Sequence, residues 1–64
     1  MCVNGIQIAL ERQISLQDFL LKEGYNTSRV AVEKNGGIIS KKSFETEMLN
    51  DNDKLEIVNF VGGG

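Results

Sequence analysis

The chain has 64 residues, 41% of them hydrophobic and 25% charged, with a formal net charge of −2. That is room for one small core, and 7 basic against 9 acidic side chains offer none of the clustered cationic surface that nucleic acid requires. Histidine is absent and cysteine occurs once, which excludes zinc sites, Cys–His nucleophiles, Ser–His–Asp triads and internal disulfides built within one chain.

Asn4 and Gly5 form the strongest short hairpin signal, because a type I′ turn needs positive φ at both central residues. Met1, Cys2 and Val3 precede it as one strand. Ile6, Ile8 and Leu10 alternate with Gln7, Ala9 and Glu11 after it, predicting a second strand with one buried face. Ser15 stands as a helix N-cap with Asp18 in the capping-box position. Leu16, Phe19 and Leu20 make one apolar stripe, and Gly24 is placed to end the helix. All three stripe residues are assigned to the core.

Val30, Ala31, Val32 and Glu33 are β-rich, and Asn35, Gly36 and Gly37 turn the chain into Ile38 and Ile39 as a second hairpin. Residues 41–49 are mixed, with one helical turn expected around Phe44. Asp51, Asn52 and Asp53 form a polar turn before the last strand, residues 54–61. Leu55, Ile57 and Val61 fall on one face of that strand, and Glu56, Val58 and Phe60 on the other. The order is strand, strand, helix, strand, strand, strand. One helix crossing one face of a mixed sheet of four or five strands is the β-grasp, or ubiquitin-like, α+β arrangement.

A single β-grasp domain is therefore expected over residues 1–61, with residues 62–64 as a flexible glycine tail. Gly62, Gly63 and Gly64 have no side chain to pack and a high entropic cost of ordering. Extended, the last four residues reach at most ~3.3–3.6 Å each, and without Cβ atoms the glycines fit a narrow channel. The carboxylate at the tip is ionised at neutral pH. Its attack on the α-phosphate of ATP would give an acyl-adenylate that sulfur or amine nucleophiles can open. A plain interaction module with an inert glycine tail is the competing reading.

The β-grasp order and this tail meet in a resemblance. Val30-Ala31-Val32-Glu33-Lys34-Asn35-Gly36, then Ile38-Ile39, then Asp51-Asn52-Asp53-Lys54-Leu55-Glu56-Ile57-Val58-Asn59-Phe60-Val61-Gly62-Gly63-Gly64, resemble the ThiS family of sulfur carriers. The likeness is loose before residue 30 and specific in the final strand and tail. It implies adenylation of the Gly64 carboxylate by a ThiF-type adenylyltransferase, which binds the ATP and Mg²⁺, so that the carrier needs no cofactor of its own. It further implies a thiocarboxylate filled by a sulfur-donor enzyme and used by thiazole synthase, ThiG, for the thiazole ring of thiamin. The related MoaD carriers of molybdopterin synthesis share fold and ending, but are generally longer and tend to carry proline before the tail. A ubiquitin-like modifier is a third alternative, although glycine (Gly62) stands where ubiquitin has a basic residue.

Val58, Phe60, Val61, Gly62 and Gly63 are the candidate partner-binding residues. Val58 and Phe60 either form an apolar docking patch on the uncovered sheet face or belong to a strand buried on both sides. Asp51, Asp53 and Glu56 are candidates for steering a basic partner. Asp51 and Asp53 are otherwise turn residues rather than half a metal site, and Cys2 is a small half-buried hydrophobe. The start of the chain lacks the basic and apolar regions of a signal peptide, no stretch is apolar enough to span a bilayer, and structural disulfides are absent. These point to the cytoplasm, with neither membrane nor nucleic acid as a partner. So short a chain hardly forms a desolvated cleft as well as a core, so a carrier is expected rather than an enzyme.

Overall fold

The structure, a computed structural model, describes residues 1–60. Val61, Gly62, Gly63 and Gly64 lie outside them, and with them the expected boundary at residue 61 and the expected tail. The elements in chain order are β1 (Cys2–Val3), β2 (Ile6–Gln7), β3 (Ile14–Ser15), α1 (Leu16–Lys22), β4 (Val30–Lys34) and β5 (Gly37–Ile39). A 3₁₀ turn (Lys41–Ser43), β6 (Met48–Leu49) and β7 (Lys54–Asn59) complete them.

Two Asn-Gly turns organise the sheet. Asn4 and Gly5 have φ of 51° and 83°, Asn35 and Gly36 of 52° and 87°. Left-handed backbone at both central positions matches the twist of the strands they join, β1 to β2 and β4 to β5. The five-stranded sheet runs β2-β1-β7-β4-β5, with β1 and β7 parallel and every other neighbour antiparallel. The last strand is thus the central one, and it is held from both sides. This is the mixed sheet with one crossing helix of the β-grasp.

The helix is closed at both ends by local chemistry. Ser15 Oγ accepts the Asp18 N–H at 3.1 Å, while the Leu16 and Gln17 N–H groups donate to the Glu47 and Phe44 carbonyls at 2.8 and 2.9 Å. The donors that a helix start normally leaves unpaired are therefore satisfied. At the other end Gly24, at φ 85°, donates to Leu21 O, and the Tyr25 N–H reaches Leu20 O, the paired bonds of a Schellman motif. Leu16, Phe19 and Leu20 pack beneath against Val3, Val30, Val32, Phe44, Leu49, Leu55 and Ile57.

The second strand is shorter than its alternating pattern predicts. Met1 and Ile8 exchange hydrogen bonds at 2.8 and 2.7 Å, but the Leu10 N–H then turns to the Asp51 carboxylate at 2.9 Å. Ile8 and Leu10 are only partly buried, and Ile6 is 66% exposed. A helix of seven residues spans about 10 Å and does not cover this edge strand. The two-residue ladder pairing Ile14 with Leu49 and Ser15 with Met48 was not expected, since bridges so short leave no periodic trace.

Candidate functional site

Strand β7 delivers the chain to its last residues, so the site is built from what surrounds its end. Along β7 the side chains alternate, with Leu55 and Ile57 buried under the helix and Val58 59% exposed on the opposite face. Phe60 follows two residues on and is 54% exposed. The strand is therefore buried on one side only, which rules out burial of Val58 and Phe60 on both sides of the sheet. Register places Val58 directly opposite exposed Ala31, and Glu56 opposite Glu33, which in turn faces Ile38. An apolar area around Val58 and Phe60 thus continues into an acidic row on the open face.

Lys41 was not singled out in the sequence, and it stands beside this end. Its ammonium donates to the Ser28 and Val30 carbonyls at 2.8 and 3.2 Å and lies 5.8 Å from the centre of the Phe60 ring. A cation at that distance is attracted to the ring face. The Phe60 N–H donates to Arg29 O at 2.7 Å, so the residue before β4 still supports the backbone there. Val61, Gly62, Gly63 and Gly64 are outside the described residues.

The acidic turn before β7 is not free to steer a partner as a unit. Asp53 is 7% exposed, its carboxylate accepting from Asn35 Nδ2 at 3.0 Å and from the Asn50 N–H at 2.8 Å, with Lys34 Nζ at 3.6 Å. Burial pushes its carboxyl up, but those two hydrogen bonds and the lysine charge outweigh burial and hold it below the ordinary range. Asp51 is exposed yet engaged by the Leu10 N–H and the amino terminus, which together lower its carboxyl. On the open sheet face, Glu56 and Glu33 are both exposed.

Among the described residues no three of His, Cys, Asp and Glu gather as a metal site. Cys2 is half-buried, in register with Gln7 and Lys54. A shallow groove is lined by Leu10, Arg12, Ile14, Asp18 and Met48, on the loop before the helix rather than beside Phe60. No helix among the described residues is long and apolar enough to cross a membrane. Among the described residues, the end of β7 is surrounded by exposed apolar side chains, Val58 and Phe60, with the Lys41 ammonium beside the ring.

The family model of the ThiS family matches residues 2–64. The chain belongs to the ThiS family. Over 63 residues it is 42% identical to the sulfur carrier protein ThiS of Bacillus subtilis, covering 97% of this chain and 96% of that one. The crystal structure of the thiamine biosynthesis protein ThiS from Geobacter metallireducens superposes with a TM-score of 0.80 at 26% identity, covering 98% of this chain and 96% of the other. A thiazole synthase of Paramagnetospirillum magneticum is 39% identical over 62 residues, which are 97% of this chain and 19% of that protein. A ThiS chain is a small sulfur carrier of thiamin synthesis rather than a catalyst.

Proposed function

We propose that the Gly64 carboxylate is the working group of this carrier. One carboxylate oxygen attacks the α-phosphorus of ATP on a ThiF-type adenylyltransferase, and pyrophosphate leaves. A persulfide carried on a donor enzyme's cysteine then attacks the acyl carbon of the adenylate and AMP departs, giving an acyl disulfide. A thiol reductant attacks the cysteine's sulfur in that S–S bond, releasing the thiocarboxylate on Gly64 and leaving the donor cysteine in a disulfide with the thiol. The Mg²⁺ and the phosphate-binding groups belong to the adenylyltransferase. Thiazole synthase, ThiG, accepts the sulfur into the thiazole ring, and the sequence takes place in the cytoplasm.

The observation that carries this reading is the path of β7. The central strand brings Val58 and Phe60 out on an uncovered face, and the sequence continues directly into Val61, Gly62, Gly63 and Gly64. Glycines without Cβ atoms fit a channel too narrow for other residues. A partner that grips the sheet face thereby has the carboxylate within reach. The thiazole synthase that contains a similar segment supports ThiG as the acceptor, since joining carrier and synthase in one polypeptide raises their effective concentration. The test is ATP–pyrophosphate exchange by a ThiF-type enzyme. Exchange should require this protein and vanish when Gly64 is removed, and exchange that survives the deletion would refute the assignment.

A further inference from the structure

Strand β1 supports β7 only over its first half. The Cys2 N–H donates to Asp53 O at 3.0 Å and the Asn4 N–H to Leu55 O at 2.9 Å, after which the chain enters its type I′ turn. On the opposite edge, the even-numbered residues of β7 face β4, as the Asn35 N–H to Lys54 O and Phe60 N–H to Arg29 O bonds show. The backbone of Ile57 therefore points toward β1 where β1 has already turned away. An unpaired N–H and C=O there would weaken the ladder.

The side chain of Asn4 takes the place of the missing strand. Its Nδ2 donates to Ile57 O at 3.1 Å, and its Oδ1 accepts the Ile57 N–H at 2.7 Å. A carboxamide offers one donor and one acceptor on a short stem, as a peptide group does. Aspartate lacks the donor, and glutamine adds a methylene. Asparagine also tolerates the φ of 51° that this position adopts. We propose that Asn4 is a positioning residue: its two hydrogen bonds to Ile57 hold the edge of β7 that β1 leaves, and so keep the exposed sheet face at Val58 and Phe60 in the form that the adenylating enzyme grips. This rests on the carrier reading given above.

A strand held along one edge only must be ordered when the partner binds, and that cost falls on affinity rather than on the chemical step. Asn4→Gly keeps the left-handed backbone while deleting the clamp. Ser15→Ala removes the helix cap, at the other side of the core, and serves as a control of reduced stability. The expected result for Asn4→Gly is about a tenfold higher KM for the carrier in ATP–pyrophosphate exchange, with kcat unchanged. Amide hydrogen exchange at Ile57 should accelerate in Asn4→Gly. Ser15→Ala should lower the melting temperature without moving KM. Equal KM shifts in the two variants, or faster exchange at Ile57 with an unaltered KM, would overturn the proposal. Absence of pyrophosphate exchange with the unaltered protein would instead overturn the carrier reading, and the positioning role with it.

Discussion

Lys34 Nζ stands 3.6 Å from the carboxylate of Asp53, which is 7% exposed, and so ties the end of β4 to the residue before β7. The same ammonium donates to Glu47 at 2.8 Å and to Met48 O at 2.9 Å, and the Glu47 hydrogen bond is the main reason its pKa is raised. Removing the buried Asp53 carboxylate leaves the Asn50 N–H and the Asn35 amide without their acceptor in a partly buried place. Asp53→Ala should cost about 2–4 kcal/mol in urea denaturation. The folded Asp53 carboxyl lies below its ordinary 3.8, so its contribution is present above that pH and is lost as pH falls through the folded value. Melting temperature should therefore decline on the acid side, and Asp53→Asn should flatten that decline, leaving the share carried by Asp51. An acid limb unchanged by Asp53→Asn would contradict this.

Phe44 and Phe60 make a controlled comparison, because the same side chain is 2% exposed in one place and 54% in the other. Phe44→Ala should cost about 3–5 kcal/mol, enough to unfold much of so small a domain. Phe60→Ala should cost less than about 1 kcal/mol of stability, through lost contact with Lys41. It should instead speed dissociation from the adenylating enzyme, since exposed aromatics at interfaces carry ~2 kcal/mol or more of binding. Chemical denaturation beside surface-plasmon binding separates the effects. A core-sized loss of stability in Phe60→Ala would contradict the exposure of that ring.

Glu56 and Glu33 lie directly opposite each other on the open face, an arrangement of like charges that destabilises a sheet. Glu56→Gln should raise stability by a few tenths of a kcal/mol, about the weight of one such exposed pair. If this row meets a basic partner, the same change slows association and weakens its dependence on salt. Stopped-flow association at two ionic strengths reads the effect. Unchanged association at both would remove the acidic row from the encounter.

Much of this architecture is legible in the residues. Asn-Gly pairs announce both hairpins because few other pairs accept positive φ twice, and Ser15 with Gly24 brackets the helix by chemistry confined to a few residues. The alternation of Leu55, Glu56, Ile57 and Val58 gives the facing of the last strand, but whether Val58 and Phe60 are exposed depends on what covers the second face, which no local pattern records. Period-2 patterning misleads at Ile6, because which edge a short helix fails to cover is a tertiary matter. Asp53 reads as one more polar turn residue, and its burial depends on Asn35 and Lys34 arriving from β4 and its turn. Asn4 and Lys41 escape for the same reason: each acts on a partner distant in sequence, Ile57 for one and Phe60 for the other.

Sulfur carried on the terminal carboxylate is detectable by intact-mass spectrometry of the protein taken from its native cell. Oxidation of Met1 or Met48 adds almost the same mass as exchange of one oxygen for sulfur, so fragmentation must locate the change. The expected result is a fraction in which one oxygen of Gly64 is replaced by sulfur, and the loss of that fraction when the adenylating enzyme is deleted. A Gly64 carrying only its carboxylate in cells actively making thiamin, with the adenylating enzyme present, would contradict it.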